Sequence, residues 1–111
     1  MAESPKRLGS TTTAATISNL VDNGTTAGTY TIFSSIVACN TDGATAYTVS
    51  LSTSNTSATH GTYIAKDVTV SAGDAVSFDK IVLDASSGAR YLVVSASNNA
   101  VHVSAFGVQG P

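Results

Sequence analysis

The chain has 111 residues, 42% of them hydrophobic, which is enough for one compact core but not for two. Only 11% of the residues are charged and the formal net charge is −2, so the chain lacks the clustered Lys and Arg that a nucleic-acid-binding surface needs. No apolar run approaches the roughly 18 residues of a membrane span, so we expect one domain that binds neither nucleic acid nor a membrane.

Residues 1–10 contain Pro5 and Gly9 and show no periodic pattern, which predicts an extended N-terminal arm. Lys6 and Arg7 give this arm a basic pair, but no apolar stretch of the kind found in a secretory signal accompanies them. We therefore expect a protein made in the cytoplasm, with a folded domain over residues 11–111.

From residue 13 onward, short alternating segments rich in β-branched residues are separated by Gly, Asn, Asp and Ser, a pattern typical of an all-β protein. The first segment covers residues 13–21 and ends at the turn formers Asp22-Asn23-Gly24. The second, residues 29–40, is long enough to bend or bulge at Ser34-Ser35. Its Cys39 is the only cysteine, and we expect it to be a small buried side chain.

Asp42-Gly43 is a tight-turn dipeptide, and it predicts a hairpin into a strand over residues 44–53. Residues 52–61 are polar and rich in turn formers, which predicts an exposed loop. Four side chains of this loop form a candidate contact surface, namely Ser54, Asn55, Thr56 and His60. A further strand pattern follows over residues 63–70.

In the last third of the chain, the alternation changes phase near Lys80, which predicts either a bulge or two short strands. Residues 90–95 form the most apolar strand pattern, and Asn98-Asn99 reverses the chain into a final strand over residues 100–108. With about seven or eight strands and no helical period, we expect an antiparallel β-sandwich. A jelly roll is favoured, and an immunoglobulin-like fold ranks second because the chain has no Cys pair and no Trp.

Few side chains could support catalysis or bind a ligand. His60 falls in the polar loop, and His102 alternates with core valines, which predicts that it points to the outer face or to an interface. The aspartates lack the spacing of a calcium loop, although calcium between two loops stays open. Turn capping explains four of them, Asp22, Asp42, Asp74 and Asp84. The tyrosines fall inside strands, so a sugar-stacking platform is only weakly indicated. We predict no enzyme activity, no catalytic residues, no cofactor and no metal site.

Several segments, in their order along the chain, carry a resemblance. They are Lys6-Arg7-Leu8-Gly9, Ile36-Val37-Ala38-Cys39-Asn40, Tyr63-Ile64-Ala65-Lys66-Asp67 and Val103-Ser104-Ala105-Phe106-Gly107. Over nearly its whole length the chain resembles a family of small virion structural proteins of tailed bacteriophages, common in phages of marine and cyanobacterial hosts. The resemblance implies a non-enzymatic β-sandwich that is present on the virion in multiple copies.

Composition and resemblance together predict a decoration or cement protein that binds the major capsid protein or another virion protein. It would bind through an edge of the sandwich and through the arm, whose contact residues would be Lys6, Arg7, Leu8 and Gly9. We also expect a homo-oligomer, for which a trimer would suit a capsid or fibre axis, because edge strands with so few charges invite pairing.

The alternative is a component of the neck, tail or fibre attachment, including a receptor-recognition module that would use loops such as residues 52–61. A bacterial surface-layer or pilus subunit is disfavoured, because such a subunit needs an export signal.

Overall fold

The computed structural model describes residues 6–11, 16–25, 28–79, 81–84 and 89–110. Within these ranges nine strands form, and no helix is long and apolar enough to cross a membrane. The strands are β1 (Lys6–Thr11), β2 (Ser18–Asp22), β3 (Tyr30–Asn40), β4 (Tyr47–Ser54), β5 (Thr62–Val70), β6 (Ala75–Phe78), β7 (Ile81–Asp84), β8 (Tyr91–Ala96) and β9 (Val101–Gly110).

The strands build two antiparallel sheets. Sheet A has the order β1-β9-β3, with β6 and β7 both paired to the far side of β3, and sheet B has the order β2-β8-β4-β5. The pairs are nested, since β1 joins β9, β2 joins β8, β3 joins β6 and β7, and β4 joins β5. A long hairpin rolled up so that β9 also meets β3 and β8 also meets β4 is a jelly roll, as expected.

The core between the sheets is thin and aliphatic. Every second residue of a strand points inward, so Val49 and Leu51 of β4 and Leu92 and Val94 of β8 face sheet A and are fully buried. Phe33 is the largest buried side chain from the opposite sheet. Each such burial contributes about 1.5–3 kcal/mol relative to exposure, which makes this alternation the main source of stability.

Buried asparagines tie loops to the core. The Asn40 side-chain amide donates to the carbonyl oxygens of Thr45 and Val70, at 2.9 and 3.1 Å. Asn23 accepts a hydrogen bond from the Thr31 hydroxyl at 2.8 Å. In the described ranges no buried side-chain nitrogen or oxygen is left without a partner, so hydrogen bonds offset the cost of desolvating these polar groups.

Both predicted irregularities are present. The register between β3 and β9 shifts between Phe33 and Ser35, which places a bulge at Ser34, where the hydroxyl bonds to the Phe106 carbonyl at 3.2 Å. The phase change near Lys80 corresponds to two short strands, β6 and β7, that share β3 as their partner. Of the strand expected over residues 13–21, the structure has β2 from Ser18, while residues 12–15 lie outside the described ranges.

The hairpin predicted at Asp42-Gly43 is wrong. A turn does form there, but β3 belongs to sheet A and β4 to sheet B, so it carries the chain from one sheet to the other. Asp42 Oδ1 accepts the backbone N–H of Ala44 at 2.8 Å and Oδ2 accepts the Tyr47 hydroxyl at 2.9 Å. These bonds, that from Ala44 first, lower the pKa of Asp42. The residues at Asp42-Gly43 correctly predicted a turn, because a turn depends on local sequence. Which strands pair depends instead on how the apolar faces of β3 and β4 are buried in the core.

Part of the predicted arm lies within the described ranges. Residues 6–10 belong to β1 and pair with β9. Gly9 lies so close to the Leu20 carbonyl that a Cβ atom there would overlap it, which fixes β1 against β2. The sandwich therefore includes Lys6 onward, while residues 1–5 of the predicted arm lie outside the described ranges.

Candidate functional site

The outer face of sheet A carries a contiguous apolar patch. Ile32 of β3 is paired in register with Val82 of β7 on one side and with Val108 of β9 on the other. Phe106 lies one step further along β9 on the same face. Ile32, Val82 and Phe106 are 47%, 50% and 37% exposed. We call these four residues the apolar patch.

Charged residues border the apolar patch at opposite edges. Arg7 of β1 is exposed and directly opposite Phe106, so it lies on the same outer face. Asp79 is exposed and directly follows Phe78, the last residue of β6, which pairs with Ile36 and packs on the core. Arg7 thus lies at one edge of sheet A and Asp79 at the other.

Cys39 and His102 are direct cross-strand neighbours on this same face. Both are partly exposed, so the expectation that Cys39 is a buried core residue is wrong. The inward positions of β3 are Ile36 and Ala38, and Cys39 falls on the opposite phase. The predicted outward orientation of His102 is confirmed.

Part of the outer face of sheet B is different, because it is covered by the chain itself. Ser52 of β4 and Val93 of β8 are paired neighbours on this outer face, yet both are 0% exposed. Their cover is the segment between β4 and β5, residues 55–61, which we call the β4–β5 loop. The loop folds back over its own sheet instead of extending into solvent.

His60 fastens the loop to two strands of the sheet. Its Nδ1 lies 2.7 Å from the Ser52 hydroxyl and its Nε2 lies 2.8 Å from the Ser95 hydroxyl. In a neutral imidazole one ring nitrogen donates and the other accepts, and a serine hydroxyl can match either role. Burial lowers the pKa of His60, which favours this neutral form.

Asn19 of β2 holds the other end of the loop. Its side-chain oxygen accepts the backbone N–H of Ala58 at 2.8 Å, and its side-chain nitrogen donates to the Ser57 hydroxyl at 2.8 Å. Ala58 has a positive φ of 50°, an uncommon conformation for a residue with a side chain. Together with His60, Asn19 gives the loop attachments to three strands.

The four loop residues expected to contact a partner divide into two pairs. Ser54 is buried, and its hydroxyl accepts the backbone N–H of Thr56 at 3.0 Å. Both ring nitrogens of His60 are hydrogen-bonded to serines of sheet B. Asn55 and the Thr56 side chain are exposed, so this pair is the accessible part of the predicted contact surface.

Of the predicted arm residues, Arg7 is exposed beside the apolar patch and Gly9 is packed against β2. Lys6 and Leu8 contribute backbone to β1, and their side chains are outside the described part.

Tyr63 of β5 adds an exposed aromatic ring next to the loop. It stacks on His60 with ring centroids 4.8 Å apart, and Lys66 Nζ lies 5.3 Å from the Tyr63 ring centroid. Tyr63 is 44% exposed, because β5 is an edge strand of sheet B. Tyr63 lies inside a strand, as the sequence analysis predicted, and this strand is at the edge of sheet B.

The apolar patch was not predicted from the sequence. Its signal was present in the alternation, since Ile32, Val82, Phe106 and Val108 all fall on the outward phase of their strands. That these strands are adjacent follows only from the jelly-roll pairing.

In the part of the chain that the structure describes, no pocket of ligand size is found and no three His, Cys, Asp or Glu side chains come together as metal ligands. No protein-family model, no curated protein and no solved structure matches the chain significantly.

Proposed function

We propose that the protein is a non-enzymatic virion structural protein of a tailed bacteriophage, a capsid decoration protein present in many copies. The observation that carries this proposal is the jelly-roll strand order, because viral capsid proteins use this fold. Lectins and cupins use it too, so the fold needs a second argument. The segments from Lys6-Arg7-Leu8-Gly9 to the last strand add support for the proposal, because they resemble those of small virion proteins.

The edge strand β1 is the contact that we propose for the shell. In the described ranges β1 pairs only with β9, so one row of its backbone N–H and C=O groups faces away from the sheet. An extended segment of a neighbouring subunit can add to such an edge through main-chain hydrogen bonds. Residues 1–5 directly precede β1, so in this arrangement they would continue across the neighbour as a strap.

The low charge of the chain supports a role in assembly. With only 11% charged residues, less free energy is spent on desolvating charges when its surface is covered. A decoration protein contacts neighbours on several sides, so the lower desolvation free energy favours binding at each contact.

The test is the ratio of this protein to the major capsid protein in purified particles of the phage that encodes it, by quantitative mass spectrometry. A decoration protein on a symmetric shell should give a ratio of about one, or a simple fraction such as about one third. Complete absence from the particles would refute the proposal.

The second candidate is a neck, tail or fibre component that recognises a receptor. The β4–β5 loop favours it, since Asn55 and Thr56 are exposed on a loop that His60 and Asn19 hold in place. Binding residues are often presented by loops on a rigid scaffold. In the same experiment a ratio on the order of one hundredth would select this candidate, because tail and neck structures are single assemblies of few copies.

A further inference from the structure

We infer that the outer face of sheet A is a self-association surface on which a second copy of this chain packs face to face, about a twofold axis parallel to the strands. The inference does not depend on the proposed function, because it concerns the purified protein alone.

The apolar patch is the first reason. Single exposed apolar side chains are ordinary on protein surfaces, but Ile32, Val82 and Val108 form a continuous row across three strands, with Phe106 beside it. Two such faces can pack at the usual sheet spacing of about 10 Å, with their strands within about 30° of each other.

The positions of the charges select the partner. Arg7 is at the level of Ser35, reached through Phe106 on the intervening strand. Asp79 follows the Phe78–Ile36 pair and is therefore at the level of Ser35 as well, at the other edge. The two charges are about three strand spacings apart, roughly 14 Å, too far to pair within one copy.

A twofold rotation exchanges the two edges of the face. If the axis runs along the strands between β9 and β3, Arg7 of each copy comes to lie over Asp79 of the other. The same rotation places Ile32 over Val108 of the second copy. A single operation thus stacks apolar on apolar side chains and pairs opposite charges twice, as an isologous interface requires.

Cys39 provides a native reporter of this geometry. It lies on β3 beside His102 of β9, so the proposed axis passes between them. The two Cys39 Cα atoms of a dimer would be roughly 11 Å apart, from about 4.8 Å between strands and about 10 Å between sheets. This is too far for a disulfide but within reach of a short bis-maleimide.

The experiment is sedimentation velocity and light scattering of the full-length purified protein over a range of concentrations. We expect a species of twice 11.1 kDa that bis-maleimide links through Cys39. Ile32→Asp should raise the dimer Kd at least about tenfold, since it buries an unpaired charge. Ile64→Asp is the matched control, because Ile64 is similarly exposed on β5 of the other sheet.

A charge exchange tests the orientation. Arg7→Asp and Asp79→Arg should each weaken the dimer, and the double variant should restore it, because the exchanged charges again meet across the axis. Circular dichroism is the control that each variant is folded. A protein that stays monomeric to its solubility limit would overturn the inference. A dimer whose Kd is unchanged by Ile32→Asp would also overturn it. The same holds if the double charge variant dimerises as weakly as the sum of the two single effects predicts.

Discussion

The Ser52 hydroxyl and the His60 imidazole lie 2.7 Å apart, and this contact joins the β4–β5 loop to the middle of sheet B. The other ring nitrogen of His60 is 2.8 Å from Ser95 on the adjacent strand. A histidine between two serines could suggest a nucleophile and its base. Here Ser52 is fully buried and also accepts the Gly61 backbone N–H at 3.3 Å, which fits a structural fastening of the loop.

Replacing His60 with alanine should therefore loosen the loop and lower the free energy of unfolding. The variant loses two side-chain hydrogen bonds and leaves the buried Ser52 hydroxyl with only the Gly61 backbone N–H as a partner, a cost of about 1–3 kcal/mol. Urea denaturation measures the loss. Limited proteolysis should show faster cleavage within residues 55–61.

The control for this variant is Asn55→Ala, which alters an exposed side chain of the same loop. It should change the free energy of unfolding by no more than about 0.5 kcal/mol. If His60→Ala were as stable and as resistant to protease as Asn55→Ala, the fastening role of His60 would be wrong.

The same contacts predict a pH dependence. Burial lowers the pKa of His60 below the value of 6.5 that applies to the unfolded chain. Between these two pKa values the unfolded state binds more protons, so the free energy of unfolding should fall as the pH falls from 6.5 through the native pKa. Below the native pKa both states are protonated and this contribution stays constant.

Denaturation curves collected from pH 7.5 to 5 measure this step, with His60→Gln as the variant that lacks it. An identical pH profile for the wild type and His60→Gln would show that His60 is not desolvated in the folded protein.

The β4–β5 loop also marks the limit of sequence reasoning here. Val49 and Leu51 alternate with Ser50 and Ser52 along β4, and the valine and leucine lie in the core. Such a pattern is typical of a half-buried strand, yet Ser50 and Ser52 are also buried, with 7% and 0% exposure. Ser50 contacts Asp67 of β5, and Ser52 contacts His60 in the loop that Asn19 holds at Ala58, 39 residues away in sequence. No local pattern contains these contacts.

The strands could be predicted from the sequence more readily than the surfaces, because the surfaces depend on contacts between distant residues. Strand alternation, the bulge at Ser34 and the break near Lys80 are encoded in neighbouring residues. Partner choice depends on which apolar faces must be buried together, so the Asp42-Gly43 turn joined two sheets instead of two paired strands. For the same reason, the sequence did not predict that Val82 and Val108 lie beside Ile32, since these pairings join distant parts of the chain.

Gly107 should not tolerate a side chain. A Cβ atom at this position would overlap the Ile32 carbonyl and crowd Phe33, where β9 pairs with β3 next to the bulge. We expect Gly107→Ala to lower the free energy of unfolding by about 1–3 kcal/mol or more, through strain in the central strands. Thermal or urea unfolding measures it.

Gly43→Ala is the matched glycine control. A Cβ atom at Gly43 meets nothing within 4 Å, so the variant should be neutral or more stable by up to about 1 kcal/mol, by restricting the unfolded chain. Equal losses in the two variants would mean that the close approach of β9 and β3 does not limit stability.

Two truncations separate the arm from the sandwich. Removing residues 1–5 keeps β1 whole, so the free energy of unfolding should change by less than about 0.5 kcal/mol. Binding of this truncated protein to particles prepared without the native protein should fall sharply, because the strap is missing. Removing residues 1–11 deletes β1 and its contact between Gly9 and Leu20, and it bares the edge of β9. This longer truncation should unfold or aggregate.

Circular dichroism with urea denaturation measures the fold of both truncations, and cosedimentation with the particles measures binding. Full occupancy after removal of residues 1–5 would eliminate the strap and leave the β1 edge as the proposed contact. A stable fold without residues 1–11 would contradict the place of β1 in sheet A. If the protein that lacks residues 1–5 keeps its circular dichroism spectrum and its free energy of unfolding, its loss of binding cannot come from unfolding and supports the strap.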